Sequence, residues 1–230
     1  MIDPTIKICD SSVYFPSDDS YLILDYFQSK ITPDYFDGIQ FNSINNVLDM
    51  GTGSGIIAIT LLLLKSNYDK FNPKIYASDI LEQAIKCAKI NEKANGFKGE
   101  IEYFLSNLFK SFPEHLNNLF NIIIFNPPYL PSSELIEKQE RSSSDYCWNG
   151  GINGNEIICE FINKLKDFLN VSSNYEASAY FISSSRADNE KDNEKLERII
   201  IAQGFKHDIL AKKHVFFEDI ILNRLKLKDP

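Results

Sequence analysis

The sequence predicts an α/β fold: a mostly parallel, seven-stranded sheet with helices on both faces and an antiparallel hairpin at its C-terminal end. Three observations predict it. Short apolar runs alternate with longer segments of helical spacing along the chain, the order in which a parallel sheet is built, because each parallel neighbour needs a crossover. The first strong run is followed at once by a glycine-rich turn that opens a helix. The last two runs are joined by a short basic segment, Lys212-Lys213-His214, which reads as a hairpin turn.

Taken in order, the first ~40 residues hold a helix from about Asp19 to Ser29, with acidic residues in its first turn. Strand runs follow at Val47-Leu48, Lys74–Ser78, Ile101–Phe104, Asn121–Phe125, Ala177–Ser183, Phe205–Leu210 and Phe216–Leu225. Leu81, Ala84, Ile85 and Ala88 recur on one helix face, with Lys86, Lys89 and Lys93 off it. Ile157, Ile158, Phe161, Ile162, Leu165, Phe168 and Leu169 form a broader stripe. Glu156 and Glu160 lie near the start of that helix and Lys164 and Lys166 nearer its end, as the helix dipole prefers. A charged helix around Asn189–Arg198 reads as a solvated face. No Gly-, Pro- or Ser-rich linker divides the chain, so residues 1–43 are expected to be an extension of a single domain whose remainder spans 44–230.

Composition narrows the function. The 230 residues are 43% hydrophobic and 24% charged, which excludes disorder and fibrous repeats. Twenty-four basic residues against 32 acidic ones give a net charge of -8, the wrong sign for a protein that lives on phosphate backbones. Cys9, Cys87, Cys147 and Cys159 show no Cys-x-x-Cys spacing, and His115, His207 and His214 are distant from them, so no metal site or disulfide framework is expected. Met1-Ile2-Asp3-Pro4 does not start a signal peptide, and the longest apolar stretch, Ile56–Leu64, is too short to span a bilayer. A soluble protein of the cytoplasm, or also of the nucleus, is expected.

The candidate chemistry lies at the ends of the strand runs. Asp49-Met50-Gly51-Thr52-Gly53-Ser54-Gly55 closes a strand and opens a helix. Glycines at alternate positions let the backbone turn tightly and approach a ligand, which then faces free amides at a helix N-terminus. A dinucleotide fingerprint counted from Gly51 would want glycine at Ile56. Asp79 ends the next strand, placed either to accept ribose hydroxyls or to cap the helix that starts near Leu81. Ser106-Asn107-Leu108 follows the third strand; Asn107 can accept from a base or simply start a turn. Ile122–Phe125 reads as a buried strand, and Asn126-Pro127-Pro128-Tyr129 sits just past its carboxyl end, where open α/β sheets bind ligands.

The Asp-x-Gly-x-Gly-x-Gly loop, Asp79 and Asn126-Pro127-Pro128-Tyr129, in that order, resemble class I S-adenosylmethionine-dependent methyltransferases of Rossmann-like fold that act on planar amino or amide nitrogens. Two further segments resemble one branch, the eukaryotic and archaeal HemK-type release-factor glutamine methyltransferases. One is Tyr14-Phe15-Pro16-Ser17-Asp18-Asp19-Ser20, with Ser20 where that family carries threonine and Phe15 where it carries glutamate. The other is Trp148–Glu156, with Ile152 where arginine is frequent. The resemblance runs from about Val13 to Leu225.

It implies methyl transfer from S-adenosyl-L-methionine, leaving S-adenosyl-L-homocysteine, to the glutamine of Gly-Gly-Gln in a class 1 translation termination factor. It implies a heterodimer with a small zinc-binding activator subunit. Ser20, Asp49, Gly51, Gly53, Gly55, Asp79, Asn107, Leu108 and Asn126 would bind the cofactor; Asn126, Pro127, Pro128 and Tyr129 would be catalytic. Asn126 and a proline carbonyl would accept the two N–H bonds of the substrate nitrogen, with Tyr129 as a flat wall. The long polar loop Leu130–Cys147 reads as a lid or substrate grip. Competing readings are a histone lysine methyltransferase, an adenine-N6 or cytosine-N4 nucleic-acid methyltransferase, and a non-catalytic scaffold of the same fold. The charge of -8 and the lack of an added basic region weigh against the nucleic-acid enzyme.

Overall fold

The computed structural model describes residues 3–131, 150–151, 154–171, 177–187 and 190–227. In chain order the elements are α1 (Asp18–Lys30), β1 (Tyr35–Phe36), β2 (Ile39–Gln40), β3 (Asn46–Met50), α2 (Ile56–Asn67), β4 (Lys74–Asp79), α3 (Glu82–Ala94), β5 (Ile101–Leu105) and β6 (Ile122–Phe125). Then come α4 (Glu156–Phe168), β7 (Ser178–Ser184), α5 (Glu190–Ala202), β8 (Phe205–Val215) and β9 (Glu218–Leu227). One seven-stranded sheet has the order β5-β4-β3-β6-β7-β9-β8. Its first five strands are parallel, and β9 runs antiparallel to both β7 and β8.

Side-chain alternation on β6 shows why the sheet is covered on both faces. Ile122 and Ile124 pack into one core with α1 and α2, while Ile123 and Phe125 pack into the other with α4 and α5. All four are buried. Helix α2 is apolar nearly all round and buried to match. From β3 the chain runs outward through β4 to β5, then crosses back to β6 on the other side of β3. That reversal opens a crevice at the carboxyl ends of β3 and β6.

The N-terminal extension is tied down by a buried carboxylate. Asp37, with φ of 47°, accepts from Tyr26 Oη at 2.8 Å, Tyr180 Oη at 2.7 Å and Arg224 Nη1 at 2.8 Å. These donors come from α1, β7 and β9, so one side chain joins the extension to the sheet.

Three expectations change. The hairpin turn is Phe216-Phe217, not Lys212-Lys213-His214, which lie inside β8. A run of charges reads as a turn, yet an edge strand can carry it because its outer side is solvated. The charged helix extends to Ala202 and buries Leu196 and Ile200, so it has a core-facing edge. The ribbon β1–β2 was not expected, since two-residue strands leave no periodicity to read. Among the described residues, no helix is long and apolar enough to cross a membrane.

Candidate active site

A cavity of about 410 Å³ occupies the crevice. Its wall includes Ser20, Gly51, Gly53, Asp79, Asn107, Leu108, Asn126, Pro127 and Pro128, residues spread over nearly half the chain. Asp49, Gly55 and Tyr129 stand behind the wall, not on it.

The glycine loop is shaped by close approach as well as by backbone sign. At Gly51 (φ +65°) a Cβ would lie 3.2 Å from the Phe125 ring, and at Gly55 (φ +87°) it would meet Ala88 Cα at 3.1 Å. Any side chain there would push β3's exit off β6 or α2 off α3. The loop is then stitched in place: Thr52 N donates to Ser78 O at 2.9 Å and Gly53 N to Asp79 Oδ2 at 2.9 Å. Behind it, Asp49 Oδ2 accepts from Thr52 Oγ1 at 2.7 Å and Ala58 N at 3.1 Å.

Asp49 Oδ1 is buried with no hydrogen-bond partner. Burial pushes the Asp49 carboxyl up to about 7, against the opposing pull of Thr52 and Ala58. The sign of the consequence is fixed. Between about 4 and 7 the unfolded chain has lost this proton while the folded chain keeps it, so stability is highest below that window and falls as pH rises through it. The full effect is at most about 4 kcal/mol. Asp49→Asn keeps an acceptor for Thr52 and Ala58 and cannot ionise. Thermal melts of that variant are expected to lose less between pH 5 and 7.5 than those of the parent chain; parallel curves would refute the assignment.

Asp79 ends β4 almost fully buried. Its Oδ1 accepts from Leu81 N at 2.9 Å and its Oδ2 from Gly53 N. Helix α3 begins at Glu82 with Leu81 at the N-cap, so Asp79 is not that cap. It links the glycine loop to the α3 entrance and reaches the cavity wall. Burial raises its pKa and the backbone donors oppose that. Asn107 both lines the cavity and starts a turn, its carbonyl accepting from Lys110 N at 3.1 Å, and Leu108 beside it has a φ of 49°.

At the end of β6, Asn126 Nδ2 donates to Ser20 Oγ at 3.3 Å. Ser20 Oγ in turn donates to Asp19 Oδ1 at 3.1 Å. Asp19 Oδ2 accepts from Tyr14 Oη at 2.9 Å and Tyr129 Oη at 3.1 Å. With its nitrogen so engaged, Asn126 is left with a buried Oδ1 that has no partner. Such an oxygen at a cavity wall asks for a donor from a ligand. Burial and the Asp19 charge push the Tyr129 phenol far above the ordinary tyrosine range, so Tyr129 is a fixed donor and not a base.

Asp19 and Tyr14 are the residues that sequence reasoning missed. Asp18 behaves as a first-turn surface acid, half-exposed and paired with Lys213 at 2.7 Å. Asp19 is 3% exposed and gathers both tyrosines. Tyrosines flanking an acidic pair five and 110 residues away carry no signal that reveals this in one sequence. Glu156, Ile157 and Glu160 also line the cavity, from the first turns of α4. Of the Trp148–Glu156 stretch, Trp148, Asn149, Ile152 and Asn153 lie outside the described residues, as does the loop from residue 132 to Cys147. Gly150 donates to Leu130 O at 2.9 Å, and a Cβ there would come within 2.8 Å of Pro128 O. Gly150 itself therefore packs directly on the Asn-Pro-Pro corner.

Residues 36–139 match the methyltransferase small domain family. A Methanocaldococcus jannaschii protein assigned as a protein N5-glutamine methyltransferase is 31% identical over 210 residues, covering 91% of this chain and 89% of that one. The eRF1 methyltransferase catalytic subunit of Schizosaccharomyces pombe is 30% identical over 164 residues, 68% of each chain. A release factor glutamine methyltransferase of Chlorobaculum tepidum is 31% identical over 132 residues, and the matched part spans only 42% of that longer protein. Among solved structures, the E. cuniculi Mtq2–Trm112 complex, described as responsible for methylating the eRF1 termination factor, gives a TM-score of 0.62 over 94% of this chain and 99% of the matched one. Its 16% identity speaks for the fold alone. The archaeal and yeast likenesses, across most of the chain, establish that it belongs to the HemK-type family of class I S-adenosylmethionine-dependent methyltransferases, which includes the protein N5-glutamine methyltransferases.

Proposed function

We propose that this chain methylates the side-chain amide nitrogen of the glutamine in the Gly-Gly-Gln motif of a class 1 translation termination factor. The observation that carries this is the Asn126 carboxamide, whose nitrogen is anchored by Ser20 and whose buried oxygen has no partner at the wall of the cavity.

The cavity suits S-adenosylmethionine: glycine backbone on one side, a buried carboxylate at Asp79, and acceptor and turn atoms at Asn107 and Leu108. Ser20, Gly51, Gly53, Asp79, Asn107 and Leu108 would hold it directly, with Asn126 bordering it at the cavity wall and Asp49 and Gly55 fixing the loop from behind. The cofactor supplies an electrophilic methyl group on a sulfonium. An amide nitrogen is a weak nucleophile because its lone pair is delocalised. Asn126 Oδ1 and the Pro127 carbonyl accept its two N–H bonds, and both attract more strongly as the nitrogen becomes positive. Pro127 and Pro128 hold that corner rigid and bring no N–H that could compete. Tyr129, tethered to Asp19, keeps the corner's far end in place. The methylated nitrogen would be strongly acidic and would release its surplus proton to solvent, S-adenosyl-L-homocysteine being the leaving product. No side chain is therefore needed as a general base.

Asp19 is thus a positioning residue, and its variants test the relay. Asp19→Ala is expected to lower kcat about ten- to a hundred-fold, the worth of one or two charge-assisted hydrogen bonds. Cofactor Kd should move far less, and Asp19→Asn should recover part of the loss. Equal damage to kcat and Kd, with no recovery by Asn, would mark a merely structural role.

The likeness to relatives named for release factor and eRF1 methylation supports the glutamine acceptor, and the Mtq2–Trm112 complex supports a small activator subunit; that this subunit binds zinc is part of the proposal. The sheet edge at β5, where Leu105 is 54% exposed, offers unpaired backbone to such a partner. We assign residues 1–43 to the same domain as 44–230, since Ile23, Leu24 and Phe27 share one core with Ile57, Ile122 and Tyr180. A termination factor places the enzyme in the cytoplasm, and a nuclear pool would serve a histone acceptor instead.

The test is to incubate the activator-bound enzyme and cofactor with a termination factor and map methylation by mass spectrometry. One methyl on the Gly-Gly-Gln glutamine is expected. Methylation confined to lysine, or to a nucleic-acid base, would overturn the acceptor.

A further inference from the structure

At the tip of the β8–β9 hairpin, Val215 pairs with Glu218, so Phe216 and Phe217 alone make the turn. They are 88% and 90% exposed. Phe216 also has a φ of 53°, a left-handed conformation that two-residue hairpin loops normally give to glycine or asparagine. A bulky apolar side chain here loses twice: it gains nothing from burial, and it strains its own backbone. Folding does not account for either phenylalanine.

Location suggests what does. β9 pairs with β7 to the end of that strand, Ser184 facing Ile220, so the tip stands at the same end of the sheet as the Asn126–Tyr129 corner. It is braced toward the site from two sides. Ser184 Oγ donates to the Glu218 carboxylate, and Asp219 N donates to Ser185 Oγ at 2.8 Å. Lys213 pairs with Asp18 at 2.7 Å, one residue from the carboxylate that holds Tyr129. Glu218 lies near enough for its charge to bear on the Tyr129 phenol. On the N-terminal segment, Phe15 is 71% exposed between Tyr14 and Pro16, both of which line the cavity.

We propose that the Phe216-Phe217 tip, with Phe15, is a docking collar for apolar surface of the protein that carries the acceptor glutamine. The inference rests on the amide-methyltransferase reading and adds where the protein substrate is gripped. Aromatic anchors with few rotatable bonds are efficient at such contacts. Exposed aromatic rings on a hairpin whose β8 strand carries Lys212 and Lys213 also have the chemistry to stack nucleic-acid bases. A chain of net charge -8, with Lys213 already paired to Asp18, favours a protein.

The test uses the activator-bound enzyme carrying Phe216→Gly and Phe217→Ser. Glycine suits the left-handed turn, so the variant is expected to melt no lower than the parent, or about 2–4 °C higher. KM for the termination factor should rise about ten-fold or more, with kcat and cofactor Kd within about two-fold. Calorimetry of enzyme and variant against the same factor, without cofactor, separates this inference from its parent. Weaker binding by the variant supports the collar even if no methyl is transferred; equal binding overturns it even if turnover is normal. Loss of binding to a single-stranded oligonucleotide, with the termination factor bound as before, would also overturn it.

Discussion

Replacing Asn126 with alanine is expected to lower kcat for amide methylation about 10²–10³-fold or more, with cofactor Kd within about three-fold. The asymmetry follows from where the side chain spends its atoms. Its nitrogen is occupied by Ser20 at 3.3 Å, and its oxygen is the buried acceptor that has no partner. That oxygen therefore contributes most once a substrate nitrogen starts to lose electron density, and little to holding the adenosine end of a cofactor. The same residue yields a stability result of opposite sign. A buried acceptor with no donor costs about 1–3 kcal/mol. Removing it should leave the melting temperature equal to that of the parent chain or higher, despite the lost bond to Ser20. Catalytic sites often hold such a cost in reserve. Turnover and cofactor affinity falling together would place Asn126 in the cofactor cradle instead. A strong loss of stability would mean that the carboxamide is a structural link.

How much of this was readable from one sequence depends on the range of the interaction. Ile122–Phe125 and the corner after it are legible because everything that defines them is local: a buried strand needs an apolar run, and prolines must end it. The glycine loop is legible for the same reason. The hairpin is half legible. Its two strands show, but the turn was misplaced, because Lys212-Lys213-His214 has turn-like polarity and Phe216-Phe217 has none. What chooses the turn there is the pairing of Val215 with Glu218, a property of the sheet. Asp19 and Asp37 were not legible. Asp19 meets Tyr129 across 110 residues, and Asp37 meets Tyr180 across 143. A carboxylate becomes a hub only when the fold buries it among donors, and composition at the position itself says nothing of that.

Asp79→Ala is expected to produce the mirror image: cofactor Kd raised about 100-fold, and kcat at saturating cofactor within about three-fold of the parent. A carboxylate that accepts two hydroxyls contributes about 1.5–3 kcal/mol per charge-assisted bond, enough for that factor even after part is lost to desolvation. The backbone adds to the loss. Asp79 binds Gly53 N and Leu81 N, each at 2.9 Å, so alanine also frees the glycine loop from the α3 entrance. Asparagine is no gentle control here. Its NH2 group must face one of those two amides, donor against donor, so Asp79→Asn should lose both affinity and stability. Protonation does the same thing reversibly. Burial holds the Asp79 carboxyl above the ordinary value, so cofactor affinity should begin to fall, as pH is lowered, at a higher pH than an exposed aspartate would give. Isothermal titration of the two chains across pH distinguishes the contributions: in Asp79→Ala the acid-side fall should vanish. An unchanged Kd in that variant, or a pH profile identical to the parent's, would remove Asp79 from the cofactor site and leave it only the stitching of loop to helix.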